Sequence, residues 1–160
     1  MDINIRNAIA TDYPALCELF EEVDALHRVN LPHLFQKPHG SAREMAEFLE
    51  LITDENVGLF IAERDDKLLG FVHVIVREAP PIPIFVLRRY AVIDNLGVKS
   101  EYRRHGIGQM LMSTAQKWAL AKGATAIELN VYEFNQTAIA FYHRLGYEDL
   151  SRKMIKRLDK

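Results

Sequence analysis

Short runs of alternating hydrophobic and polar residues occur at several points along the chain, as they do in half-buried strands. The first run is INIRNA, which begins at Ile3, and a longer stretch reads VGLFIAERDDKLLGFVHVIVRE. Because two β-rich runs flank the charged residues 64–67, this longer stretch predicts a β-hairpin. The runs IFVLRRYAVIDNLGV and AIELNVY predict two more strands, and Gly97 is the expected place for a bulge in the first of them.

Helical spacing of apolar residues marks the segments between these runs. Thr11 and Asp12 begin a first helix, and Ser41 and Glu44 have the spacing of a capping box, which predicts the start of a second. A third helix is predicted over about residues 105–122, with Gly123 as its left-handed cap. TAIAFYHRLGY predicts a fourth helix that ends at Gly146, and residues 154–158 predict a last strand. The order of elements predicts one mixed α/β domain over residues 1–160.

Composition narrows the class of protein without naming a function. The chain has 160 residues and a net charge of −2, which gives no reason to expect nucleic acid or an anionic membrane as a partner. No apolar run reaches the roughly 18–20 residues of a membrane helix, and the first residues do not resemble a secretory signal, so a cytoplasmic location is expected. The single cysteine excludes an internal disulfide. His27, His33 and His39 lack the spacing of a compact site, and no metal is expected.

The segment RRHGIG stands at the predicted start of the third helix. Each glycine inside a helix costs roughly 0.8–1.0 kcal/mol relative to alanine, so Gly106 and Gly108 need a compensating reason. The unpaired amides of a helix start and the positive end of its dipole form an anion site, and Arg103, Arg104 and Lys99 add charge. A pyrophosphate fits this description. The alternative to an anion site is a glycine-containing turn with solvated arginines. The segment does not have the sequence of a P-loop.

Two motifs resemble those of a known family. The pattern Arg103-x-x-Gly106-x-Gly108, preceded by NLGV and followed by an amphipathic helix, resembles the acetyl-CoA motif of the GNAT superfamily of N-acetyltransferases. The downstream stretch LNVYEFNQTAIAFYHRLGYE is similar to the family's second motif, with Tyr147 in place of the usual Phe. With the opening IRNAIATDYPAL, the resemblance covers nearly the whole chain. It implies an α+β fold: a strongly twisted mixed β-sheet flanked by helices, with two central parallel strands splayed apart.

The resemblance also implies acetyl-CoA as cosubstrate and assigns residues to it. Backbone amides from Arg103 through Gly108 would hold the pyrophosphate, and Leu96 and Val98 would pair with the pantetheine arm. An amide at a bulge near Gly97 and Val98 would polarise the thioester carbonyl. The implied cofactor-binding residues are therefore Leu96, Gly97, Val98, Arg103, Arg104, His105, Gly106, Ile107, Gly108, Asn135 and Tyr142. Asn135 would contact the cofactor arm and is also a good helix N-cap, whereas Tyr142 would face the leaving sulfur.

The implied reaction is direct attack of a primary amine on the thioester, which needs a group to accept the amine's proton. Asp94 is the first candidate, and it is equally suited to be a capping or hairpin residue. Glu22 and Glu133 are weaker candidates, and Asn130 stands where some relatives carry a base but cannot serve as one. The candidate catalytic residues are thus Tyr142 and Asp94. His73 alternates with apolar neighbours on a predicted strand and is expected to be structural.

Other functions remain open at this point. The same fold could hold an acyl-CoA as a non-catalytic sensor module, or the glycines could bind the phosphates of a nucleotide. The acceptor is a small-molecule or peptide amine that the sequence does not identify. The expected partners include neither nucleic acid nor a membrane, and the resemblance is compatible with a homodimer.

Overall fold

Five strands form one sheet in the order β1-β2-β3-β4-β5. The computed structural model describes residues 2–158. The strands are β1 (Asn4–Asn7), β2 (Val57–Arg64), β3 (Lys67–Glu78), β4 (Arg89–Val98) and β5 (Ile127–Leu129). The helices are α1 (Tyr13–Asn30), α2 (Met45–Thr53), α3 (Ile107–Ala121) and α4 (Gln136–Arg144). The pairs β1–β2, β2–β3 and β3–β4 are antiparallel, and β5 runs parallel to β4.

The chain divides into two compact units. The first unit, residues 1–130, contains the sheet and helices α1 to α3, and the second, residues 131–160, contains α4. The mixed sheet with flanking helices confirms the predicted fold class. The assignment of residues 1–160 to one domain stays a prediction.

Helices cover both faces of the sheet in the first unit. On one face, Phe20 of α1 packs edge-on against Phe71 of β3, with 4.8 Å between the ring centroids. On the other face, Ile107, Leu111 and Ala115 of α3 are almost fully buried, as expected for residues that recur every four positions. This burial fixes the direction of α3 and therefore where its first turn lies relative to β4.

The predicted hairpin is confirmed between β2 and β3. Asp65 and Asp66 form its two-residue turn with φ angles of 52° and 61°, as a type I′ turn requires. Gly123 has a φ of 86° just after α3, so the predicted left-handed cap is confirmed as well.

Two local predictions are wrong. Helix α2 begins at Met45 with Glu44 as its N-cap, and no side chain caps it. Ser41 instead donates to the carbonyl of Arg43 at 2.6 Å, so the predicted capping box does not form. Residues 154–158 are described and contain no strand. A strand needs a neighbour for its backbone groups, and Met154 and Leu158 are 85% and 86% exposed there.

Candidate active site

Strands β4 and β5 pair over only three residues. The parallel ladder joins Ala91 to Ile127 and ends where Ile93 meets Leu129. Strand β4 continues five residues further to Val98 while β5 ends at Leu129. The last part of β4 therefore has an edge that β5 does not cover, as the predicted splaying requires.

A β-bulge interrupts β4 at Asp94. His73 pairs with Asn95, whereas the next residue of β3, Val74, pairs with Ile93. Asp94 is the extra residue between these two pairs. The prediction of a bulge at Gly97 is wrong, because Gly97 pairs regularly with Phe71. The absence of a side chain at Gly97 lets Phe71 and Val23 pack closely against β4. A Cβ there would lie 2.7 Å from a Phe71 ring carbon and 2.8 Å from Cγ2 of Val23.

The bulge decides which backbone groups of β4 face the open edge. The amide of Ala91 donates to Ala126 on the β5 side, at 2.9 Å. Beyond the bulge, the amide of Lys99 donates to Leu69 on the β3 side, also at 2.9 Å. Since backbone groups alternate sides along a strand, Leu96 and Val98 face the open edge. The amide of Gly97 faces β3, and the expected polarisation of the thioester by an amide near Gly97 and Val98 stays a prediction.

The loop before α3 has the backbone of an anion site. Arg104 and Gly106 have φ angles of 65° and 79°, and Gly106 is the N-cap of α3. Alternation of left-handed residues with their neighbours turns successive amides toward one side, an arrangement that binds anions. A Cβ on Gly106 would meet nothing within 4 Å, so the space above it is open. Ile107 is 2% exposed and can offer a ligand only its backbone. Its amide and that of Gly108 lack acceptors within the helix.

Side chains brace this loop from within the first unit. Glu22 of α1 accepts the amide of Ser100 at 2.8 Å, and its carboxylate lies 3.8 Å from the Arg103 guanidinium. The Nε of Arg103 donates to the carbonyl of Val98 at 3.2 Å. The ring Nδ1 of His105 lies 3.1 Å from the carbonyl of Tyr102. Glu22 therefore holds the loop in place, which makes it a poor candidate for the base.

Asp94 forms a pair with His73 across the bulge. The Nδ1 of His73 lies 3.2 Å from Oδ2 of Asp94, whose side chain is 52% exposed. The hydrogen bond from His73 holds the pKa of Asp94 below its usual value, against the opposing effect of burial. Asp94 is therefore an ionised carboxylate at the end of the β4–β5 ladder. It is neither a cap nor a hairpin residue.

In the second unit, Asn135 and Tyr142 lie at the start and near the end of α4. Asn135 is the N-cap of the helix, and its Oδ1 accepts the amide of Ala138 at 3.2 Å, as predicted. The side-chain nitrogen of Asn135 takes no part in this cap and can donate to a cofactor. Its contact with the cofactor arm stays a prediction.

Tyr142 packs its ring between two others. Its centroid lies 5.3 Å from that of Phe141 and 5.8 Å from that of Tyr147. Burial, with a smaller effect of Tyr147, raises the pKa of Tyr142 to about 12. The hydroxyl is therefore a neutral donor throughout the neutral pH range.

A family model decides the classification. The model described as Acetyltransferase (GNAT) family matches residues 20–147, which include both motifs and the β4–α3 segment. The chain belongs to this family. The GNAT chain is 26% identical to the uncharacterized N-acetyltransferase YhfO of Bacillus subtilis, over 92% of this chain and 91% of YhfO. It is 32% identical over 69% of its length to the uncharacterized N-acetyltransferase MJ1207 of Methanocaldococcus jannaschii, but spans only 50% of that protein.

A further relative and two solved structures are similar to this chain. L-ornithine N5-acetyltransferase NATA1 of Arabidopsis thaliana is 27% identical over 79% of this chain and 58% of NATA1. A mutant BH1408 protein from Bacillus halodurans superposes with a TM-score of 0.92 at 26% identity, covering 97% of this chain and 99% of that one. AAC(6')-Iy in complex with a CoA bisubstrate analog shares the fold, with a TM-score of 0.78 at 18% identity over all of both chains.

Metal clusters and membrane-spanning helices are both absent from the described part of this chain. Across residues 2–158, no three His, Cys, Asp or Glu side chains are grouped so that they could hold a metal ion. No helix within the same residues is long and apolar enough to cross a membrane.

Sequence reasoning missed two residues of this region. His73 was expected to be structural, and its pairing with Asp94 depends on the register between β3 and β4, for which the sequence has no local signal. Glu22 was expected to act as a weaker candidate base or to attract a cationic amine, whereas the structure shows it in contact with Ser100, 78 residues away. No cationic residue lies three or four positions from Glu22 on α1. The sequence therefore does not indicate this contact.

Proposed function

We propose that the protein transfers the acetyl group of acetyl-CoA to a primary amine by direct attack. The observation that carries this proposal is the open edge of β4 leading, within eight residues, into the amide-lined loop at Gly106. The extended arm of a thioester cofactor can pair with the open edge of β4, and the phosphates of the cofactor can bind the loop at Gly106. A non-catalytic sensor would share these features, but the ionised Asp94 beside the open edge favours turnover.

The residues of the first unit would contact acetyl-CoA at the loop before α3 and at the open edge of β4. The amides from Arg103 through Gly108 would hold the pyrophosphate, and the side chains of Arg103, Arg104 and His105 would border it. The open-edge groups of Leu96 and Val98 would pair with the pantetheine arm as an added strand does. The Val98 carbonyl already accepts from Arg103, and its second lone pair can accept from the arm. An open-edge amide, that of Leu96 or Val98, would then polarise the thioester carbonyl.

The reaction balances with these groups alone. The neutral amine attacks the carbonyl carbon, its lone pair forms the C–N bond, and the C–S pair leaves on the CoA thiolate. One proton passes from the nitrogen to Asp94, and Asp94 then returns that proton through solvent to the CoA thiolate, so that the carboxylate is regenerated. A free alkylammonium, with a pKa of about 10.4, would not give its proton to Asp94. The nitrogen becomes much more acidic as the C–N bond forms. The proton therefore passes to Asp94 only once that bond is forming.

The acceptor is an amine of a small molecule or a peptide. NATA1 acts, by its name, on N5 of L-ornithine, and it supports an amine acceptor for this chain. We also propose a cytoplasmic enzyme without nucleic-acid or membrane partners, consistent with the net charge of −2. A homodimer is compatible with the family.

Release of free CoA from acetyl-CoA, measured with a thiol reagent across a panel of amines, tests the function. We expect release that depends on the amine, and calorimetry should show CoA binding at least about 100-fold more tightly than ATP or NAD, a difference of about 2.7 kcal/mol. Tight CoA binding with no amine-dependent release would support a sensor instead. Equal affinity for CoA and ATP would indicate a nucleotide-binding domain.

Replacing Asp94 by Asn tests the proton acceptor. Asn retains an oxygen for His73 but has no charge, so we expect kcat with the acceptor to fall about tenfold while the Kd of acetyl-CoA is unchanged. The exposed pair of His143 and Asp149, at 2.9 Å, supplies a matched control. Asp149→Asn should leave kcat as in the wild type. Full activity of Asp94→Asn would exclude Asp94 as the base.

A further inference from the structure

The His73–Asp94 pair is built at the one irregular step of the β3–β4 ladder. His73 is the last residue of β3 before the register shift, and Asp94 is the extra residue opposite it. A bulge residue lacks a regular ladder partner, and the bulge changes the direction of its side chain. Contact with His73 holds the Asp94 carboxylate in one direction. The pair therefore fixes the direction of a carboxylate that the strand alone would leave loose.

The two nitrogens of His73 lie in different surroundings. The His73 side chain is only 13% exposed, and it shares a face of β3 with Phe71, which packs against α1. Nε2 is buried and has no hydrogen-bond partner among residues 2–158. A proton there would be a buried donor without an acceptor, which is unfavourable. The ring is therefore suited to carry its proton on Nδ1, where it donates to Asp94.

We propose that His73 is a positioning residue for acetyl transfer, which holds the Asp94 carboxylate in the orientation that receives the acceptor's proton. This role rests on the proposed function. His73 occupies Oδ2 of Asp94, so the other carboxylate oxygen accepts the proton. The proton moves from the attacking nitrogen to Asp94, and His73 keeps its own proton on Nδ1 throughout.

Other charged groups act on Asp94 but do not replace His73. Arg77 on β3 and Arg43 before α2 lower the pKa of Asp94 by charge alone, and both effects are smaller than the hydrogen bond from His73. Arg43 is itself paired with Asp24 of α1, at 2.7 Å. The direction of the carboxylate therefore depends on His73.

Two polar variants of similar size separate positioning from a structural role. In His73→Asn the amide nitrogen takes the place of Nδ1, whereas in His73→Gln it takes the place of Nε2. Both variants lose ring packing and should melt at similar temperatures. We expect kcat of His73→Asn to stay within about twofold of the wild type, and kcat of His73→Gln to fall about fivefold, because misplacement of a reacting group lowers the rate. The KM for acetyl-CoA should be unchanged in both.

The wild-type protein supplies a readout that does not depend on either variant folding. Nitrogen NMR of the His73 ring should show a proton on Nδ1 and none on Nε2, and carbon NMR should show Asp94 titrating below its usual range. In His73→Gln the pKa of Asp94 should rise, because the main cause of its lowering is removed.

Each result bears on a different statement. Equal kcat for the Asn and Gln variants, or a wild-type ring protonated on Nε2, would overturn the positioning role while the proposed function stands. A wild type without amine-dependent CoA release would overturn the proposed function and the role of His73 together, whatever the NMR spectra show.

Discussion

Gly106→Val should weaken acetyl-CoA binding at least about 100-fold, measured by calorimetry on the folded protein. The φ of Gly106 is 79°, and its missing Cβ faces open space at the start of α3. A branched side chain would stand where the pyrophosphate is expected to approach the amides of Ile107 and Gly108. It would also disfavour the left-handed backbone that aims those amides. Loss of two charge-assisted hydrogen bonds, each about 1.5–3 kcal/mol, is enough for this effect.

The opposite end of the same helix provides the control. Gly123 has a φ of 86°, and a Cβ there would lie 3.7 Å from the Arg89 side chain, an ordinary contact. Gly123→Val therefore introduces the same backbone strain, about 1–3 kcal/mol, away from the expected phosphate site. We expect both variants to lose stability and only Gly106→Val to lose affinity. Equal affinities in the two variants would show that the anion site is misassigned.

Tyr142→Phe should lower kcat about 10- to 100-fold, with the Kd of acetyl-CoA changed less than about twofold. The family resemblance implies that Tyr142 donates to the departing sulfur, and its pKa of about 12 keeps the hydroxyl protonated at working pH. Complete transfer of that proton to a thiolate with a pKa near 8.5 is uphill by about 5 kcal/mol. The expected loss is therefore that of one hydrogen bond to an anion, about 1.5–3 kcal/mol.

Tyr147→Phe is the matched control for Tyr142. The Tyr147 ring packs against Tyr142, and burial also raises the pKa of Tyr147. Both substitutions remove one hydroxyl from the same cluster, so their effects on stability should be similar. Turnover should fall only in Tyr142→Phe. If saturating acetyl-CoA gave equal kcat for Tyr142→Phe and the wild type, Tyr142 would have no part in leaving-group departure.

Much of the candidate site could be predicted because it is built from local backbone chemistry. Gly106 and Gly123 adopt left-handed backbone, which non-glycine residues disfavour, and Asn135 caps the helix that directly follows it. Prediction failed at Ser41, where a capping-box spacing is present but Ser41 bonds to Arg43 instead. Spacing alone does not determine the dihedral angles of the residues between.

The amino-acid sequence by itself determined the mixed fold class, the β2–β3 hairpin, the amide-lined entrance to α3 and the family. Each follows from alternation, helical period or the conformational freedom of glycine within a few neighbouring residues. Only the tertiary structure decided that the bulge lies at Asp94, that His73 meets it, and that residues 154–158 form no strand. These depend on the register and availability of partner strands, which arise when distant segments pack together.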